Sequence, residues 1–202
     1  FNDCNELITS VTYVKAPEFV RMVEQTLGST KFVKGLDHYH HKFEHSNASR
    51  ADWINSMQKY SDKNLSKMAQ GWLKRIGFPI VKVKYELKKN ICKITLEQTK
   101  GIWMFPFQLA VFDKYGQLTE EKTIFIDKKI TKLNLKVNSF GFLSLNRGYS
   151  FYGKVIEQKT REQLFVQVRH DNDIIQRYMA FYKLVDEEKT KLLKNSGEVS
   201  GD

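Results

Sequence analysis

The sequence carries little with which to cross-link itself or to span a membrane. Only two cysteines, Cys4 and Cys92, occur in 202 residues, and they lack C-x-x-C spacing. A disulfide framework, a zinc finger and a thioredoxin-like motif are therefore excluded, and either thiol reads as a small buried hydrophobe. No run of about 18 apolar residues exists. The chain opens Phe-Asn-Asp-Cys with no basic stretch or apolar segment behind it, so no membrane span and no signal peptide are expected. The expectation is a reduced, cytoplasmic protein, and a first residue that is Phe instead of Met reads as a chain cut from something longer. Also missing are an internal repeat, a low-complexity stretch, a P-loop, G-x-G-x-x-G, G-x-S-x-G and H-E-x-x-H.

What is present is enough for a core. Hydrophobic residues make up 41% and aromatic residues 13%, the composition of an ordinary globular protein of one to two domains. The net charge of +10 invites a nucleic-acid reading. Its position argues against one. Residues 1–79 hold 11 basic and 8 acidic side chains, residues 80–157 hold 14 and 7, and residues 158–202 hold 8 and 8. The excess in the middle is lysine, spaced singly or in pairs (Lys82, Lys84, Lys88, Lys89, Lys93, Lys128, Lys129, Lys132), with Arg147 the one planar fork. Lysines so spaced read as a solvated face that protects sheet edges.

Hydrophobic periodicity divides the chain in three. Up to residue 79 the period is helical. Pro17 opens a helix with Phe19, Val20, Val23 and Leu27 inward and Gly28 at its end. A second helix follows Ser29 or Thr30, with Phe32, Val33, Leu36, Tyr39 and Phe43 on one face. A third starts at Ser49, where Asp52 completes a capping box and Trp53, Ile54, Met57 and Tyr60 point inward. The fourth runs from about Asn64 to Ile76, burying Leu65, Met68, Ala69, Trp72, Leu73 and Ile76. At Ile80 the period drops to two: a hairpin turns at Lys88-Lys89-Asn90, and further strands are expected at 103–112, 118–126, 130–137 and 153–157. From Thr160 two helices break around Asp171-Asn172-Asp173, and residues 194–202 read as a disordered tail. The fold class expected is α+β and multi-module: a helical segment, an antiparallel β-sandwich, then a short helical segment.

Two clusters invite chemistry. His38, His40, His41 and His45 fall within eight residues, and His41-Lys42-Phe43-Glu44-His45 matches H-x-x-E-H, an inverted zincin pattern that needs two His one helical turn apart. The helix is expected to end near Ser46-Asn47 and no third ligand is assigned, so a solvated helix end is the preferred reading. Asp171 and Asp173 look like paired carboxylates, but their helix-breaking turn favours capping.

One longer pattern is more specific. Tyr13-Val14-Lys15-Ala16-Pro17-Glu18-Phe19-Val20-Arg21-Met22 resembles the Y-x-K-G-A-x-V-x-R-M segment of zinc aminopeptidases of the aminopeptidase N type. Leu27-Gly28, Phe32 to Gly35, Tyr39, His45, Asn47-Ala48, Asp52-Trp53, Trp72-Leu73, Gly77-Phe78-Pro79 and Leu143 to Ser150 continue the resemblance in order. The resemblance implies that residues 1–79 are the last helices of a thermolysin-like catalytic domain, 80–158 a β-sandwich domain and 159–202 the start of a C-terminal helical domain. It also implies a parent that binds zinc and removes N-terminal residues from peptides. The G-x-M-E-N and H-E-x-x-H motifs that hold the substrate amine and the metal would lie before Phe1, so the chain alone should bind no zinc and be inactive. Its partners would be peptide substrates and the rest of its own polypeptide, with no nucleic acid and no membrane. One catalytic residue, Tyr13, would remain, its hydroxyl donating to the oxyanion of the scissile carbonyl. The sequence departs from the pattern at Ala16-Pro17 in place of Gly-Ala, at Val14 in place of Glu, and at Ile8 in place of a second tyrosine. These departures leave open an inactive parent that serves as a scaffold or interaction protein.

Overall fold

The computed structural model describes residues 11–198, with side chains from 13 to 194; Cys4, Ile8 and the end of the expected tail lie outside them. A short π-helical segment, Val11–Lys15, runs directly into α1, Ala16–Leu27. Pro17 lies in its first turn, where its missing N–H leaves no helical bond unmade. The helix stops at Gly28, whose N–H still bonds the Glu24 carbonyl and whose φ of 77° then turns the chain out of the helix. Met22 takes the inward place expected of Val20, which is exposed.

Helix α2 covers Ser29–Phe43 and buries Phe32 and Gly35. Helix α3, Arg50–Gln58, begins with the reciprocal Ser49–Asp52 capping box anticipated from its spacing. In α4, Leu65–Lys74, the Asn64 side chain accepts from the Lys67 N–H. The helix ends at Lys74, two residues before Ile76, which is fully exposed and not inward as expected.

The strands are β1 (Ile80–Lys88), β2 (Ile91–Gln98), β3 (Phe105–Phe112), β4 (Leu118–Ile126), β5 (Ile130–Lys136), β6 (Phe142–Leu145) and β7 (Lys154–Ile156). They form two sheets, ordered β5-β2-β1-β7 and β4-β3-β6. All pairs are antiparallel except β7, which lies parallel to β1 with Val81 opposite Val155. Alternation in β1 and β2 buries Val81, Val83, Cys92, Ile94 and Leu96 and leaves Lys82, Lys84 and Lys93 in solvent, the lysine face expected. Strand β6 has four consecutive buried residues and hence no alternation to detect.

Helix α5, Arg161–His170, starts with a Thr160–Gln163 capping box. It packs on α6, Ile174–Glu198, through Leu164, Ala180 and Leu184. Helix α6 extends past Lys194, where the tail was expected to lose structure: Lys189, Lys191, Leu192 and Leu193 are good helix formers and carry the turn onward. Among the described residues no helix is long and apolar enough to cross a membrane.

One hydrophobic cluster joins the first helices to the sheets. Its centre is Trp72, which has no solvent exposure, lies 5.0 Å from the Trp103 ring and donates from Nε1 to the Met104 carbonyl at 2.6 Å. Burial and hydrogen bonding thus coincide at the joint between helices and sandwich.

Candidate active-site segment

Tyr13 sits at the centre of the π-helical segment with 68% of its surface exposed, and among the described residues its side chain makes no hydrogen bond or ring contact. Its direction is therefore set by its backbone. Two residues on, the Lys15 Nζ donates to the Arg75 carbonyl at 2.7 Å. Arg75 follows α4 in extended conformation, which turns that carbonyl off the helix axis. The Arg75 guanidinium stacks 4.2 Å from the Trp103 ring centroid, and its Nη1 donates to the Ile102 carbonyl at 2.7 Å. The Lys15 Nζ lies 5.6 Å from the same ring, so two cations share one indole. Burial, and then the nearby Arg75 charge, hold the Lys15 amine below its ordinary pKa. Gly101 makes the close approach possible: its φ is 76°, and a Cβ there would collide with the Arg75 Nη2. A cavity of about 550 Å³ opens beside this segment, with Val14, Lys15, Trp72, Arg75, Phe78 and Tyr152 among its walls.

Farther along α1, Arg21 pairs with Glu18 and donates to the Gly148 carbonyl at 2.8 Å, with the Tyr149 ring 6.0 Å away. Gly148 belongs to the turn that follows β6, and the next residue back is Arg147. This is the fork noted in the lysine-rich middle, and it does not face solvent. Its side chain is 5% exposed and bonds Glu121 at 2.8 Å, Ser144 at 2.9 Å and Asp171 at 2.7 Å, with Asn172 as a further acceptor. Burial opposes its charge, but Glu121 and Asp171 outweigh burial and raise its pKa. With every face taken, Arg147 joins the sheet to the α5–α6 turn and is not available to a ligand.

The remaining candidates are placed as follows. Helix α2 ends at Phe43, Glu44 is extended, and His45 has a φ of 59°, so His41 and His45 do not sit one helical turn apart. His41 Nδ1 is bonded to the Asp37 carbonyl, and His38 Nε2 to Lys59 Nζ, each at 2.8 Å. Asp173 caps α6 by accepting from the Gln176 N–H at 2.9 Å, as its turn suggested. Asp171, completely desolvated at its side chain, instead serves Arg147. Cys92 is buried, and burial pushes its thiol up to about 11, which keeps it an inert apolar group. Among the described residues no group of three or more His, Cys, Asp or Glu is placed to hold a metal.

Tyr13 was found through its motif, whereas Lys15, Arg75 and Trp103 were missed as partners. Their only local signal was the Lys at the third position of the Y-x-K pattern, since the contact to Arg75 spans 60 residues.

Comparison with known proteins bears on the same segment. Residues 1–72 match the Peptidase family M1 domain. Alanine/arginine aminopeptidase of Saccharomyces cerevisiae is 29% identical over 150 residues, covering 69% of this chain and 17% of the yeast protein. Puromycin-sensitive aminopeptidase of Caenorhabditis elegans is 31% identical over 121 residues, 54% of this chain and 13% of that protein. The crystal structure of Legionella pneumophila aminopeptidase A superimposes on the whole chain with a TM-score of 0.86 at 18% identity, matching 24% of its own length. That superposition establishes the fold. The chain spans less than a quarter of each of these relatives.

Proposed function

From the premise that this chain, over residues 1–72, belongs to the M1 peptidase family, we propose that it is part of a zinc aminopeptidase in which Tyr13 is a catalytic residue. The observation that carries the reading is the setting of Tyr13: an exposed side chain whose hydroxyl makes no hydrogen bond among the described residues, in the segment matched to the family. When water adds to a peptide carbonyl, negative charge develops on the carbonyl oxygen. A phenol O–H fixed beside that position donates a stronger hydrogen bond to the transition state than to the substrate, and only such a difference accelerates the reaction. On this reading the zinc ligands, the general base and the group that holds the substrate amine belong to polypeptide beyond this chain. The chain alone is accordingly inactive.

In this reading residues 1–79 close the catalytic domain, 80–158 form the sandwich domain and 159–202 begin a helical domain. The substrates are peptides with a free N-terminus, the structural partner is the rest of the same polypeptide, and the compartment is the cytoplasm.

Tyr13→Phe in the full-length protein tests the assignment. Turnover should fall about 100-fold to 1000-fold, the usual cost of losing one oxyanion donor, while zinc content and folding stay as in the wild type. Equal turnover of variant and wild type overturns the role.

A further inference from the structure

We propose that Lys15 is a positioning residue for Tyr13, and that the sandwich, through Trp103 and Arg75, sets where that hydroxyl points. The inference rests on the reading of Tyr13 as the oxyanion donor and goes one step past it. It makes the sandwich part of the apparatus that aims the catalytic group.

The segment that carries Tyr13 has few means of its own to stay in place. The five π-helical residues Val11–Lys15 lead into α1 but depart from its regular hydrogen-bond ladder, and such departures are rare. Tyr13 itself is exposed and makes no hydrogen bond or ring contact among the described residues. The tie comes from Lys15, half-buried and bonded to a carbonyl that is itself held: Arg75 is fixed by the indole face on one side and by the Ile102 carbonyl on the other. Trp103 is in turn immobile, at 3% exposure, with its backbone N–H donating to Gln98 Oε1 at 2.9 Å and its Nε1 to the Lys100 carbonyl at 3.1 Å.

The chemistry of each residue suits its place. Lysine presents a compact charge to one carbonyl, whereas a guanidinium forks and lies flat on an aromatic face. Two cations close together repel, and the Arg75 charge adds to burial in depressing the Lys15 amine. The shared ring and the two carbonyls offset that repulsion only in this arrangement, which makes the contact geometrically exacting. An oxyanion donor has to be held within about 0.5 Å of its productive position, and a misplacement of about 1 Å costs on the order of 100-fold in rate. A tether two residues from the donor acts directly on that margin.

The test is a cycle of variants in the full-length protein, assayed on an aminoacyl-p-nitroanilide. Lys15→Met should lower kcat about 10-fold or more with little change in KM, leave zinc content unchanged, and accelerate amide hydrogen exchange in residues 11–16 but not in α4. In the Tyr13→Phe background the same substitution should have little further effect, because there is no hydroxyl left to aim. Trp103→Phe, which keeps an aromatic face but weakens the cation–π contact, should lower kcat in the same direction by a smaller factor. If Lys15→Met fails to fold, Trp103→Phe carries the same cycle. Unchanged kcat in Lys15→Met and Trp103→Phe, or an equal loss from Lys15→Met in both backgrounds, overturns the proposal while leaving the Tyr13 reading intact. Full activity of Tyr13→Phe overturns both.

Discussion

The two joints of this molecule use arginine in opposite ways. Between the sandwich and the last helices, Arg147 is buried at 5% exposure and saturated by two carboxylates, a serine and an asparagine. Between the first helices and the sandwich, Arg75 is exposed, with an indole face and a carbonyl as partners in place of an ion pair. A buried pair is costly to break, because removing one partner strands the other in a medium that does not solvate it. A surface stack gives up little, because water replaces what it loses. The difference teaches that the two joints are held with unequal strength. The strong joint fixes the modules to each other, and the weak one holds the segment that carries Tyr13.

The largest effect should come from Arg147→Met. It leaves Asp171, whose side chain has no exposure, with only the Gln167 amide and its neighbouring backbone as donors. The expected loss is about 3–5 kcal/mol, read as a lower urea midpoint. Arg75→Met should cost only about 1 kcal/mol in the same measurement, the scale of an exposed cation–π contact. Equal losses in the two variants would break the comparison at its root.

Gly101→Ala comes next and probes the weak joint from its other side. The residue would have to hold φ near 76° and displace the Arg75 guanidinium from Trp103. A left-handed alanine alone costs about 1–2 kcal/mol, so the midpoint should drop visibly while the Arg147 joint keeps its protection from hydrogen exchange. A variant as stable as the wild type would show that the β2–β3 turn relaxes freely and does not pin Arg75.

The sequence made much of this architecture legible and little of its joints. Local rules sufficed where the cause was local: Ser49 and Asp52 announce their capping box three residues apart, and Lys82, Val83 and Lys84 alternate as a half-buried strand must. They failed where tertiary contact took over. Phe142 to Leu145 is buried on both faces and shows no period, Ile76 follows a helical spacing that stops at Lys74, and α6 outlasts a composition that resembled a tail. Tyr13 was visible only as a member of an ordered motif, since a lone exposed tyrosine has no distinguishing pattern. The carboxylate partners of Arg147 lie 24 and 26 residues away, and the carbonyl partner of Lys15 lies 60 residues away. No periodicity reports such distances.

The smallest expected effect sharpens the picture of the strong joint. Beside the Arg147 network, Glu157 and Lys159 form a second buried pair at 2.9 Å, with side chains 5% and 6% exposed. They line a cavity of about 540 Å³ under α6. Unlike Arg147, this pair is incompletely satisfied: Lys159 also reaches Gln167 Oε1, but Glu157 Oε1 is buried without a donor among the described residues. Burial pushes the Glu157 carboxyl above its usual range, with Lys159 and Lys183 pulling against it. The folded state therefore keeps a proton that the unfolded chain releases near its ordinary value of about 4.3. That contribution to stability is complete below the unfolded pKa and is lost as the pH rises through the folded one. Wild type should gain on Glu157→Gln as the pH is lowered from 8 to 4, in paired unfolding curves across that range. A constant difference between the two proteins would mean that the carboxylate finds its missing donor on folding, and the whole joint would then be as well satisfied as Arg147.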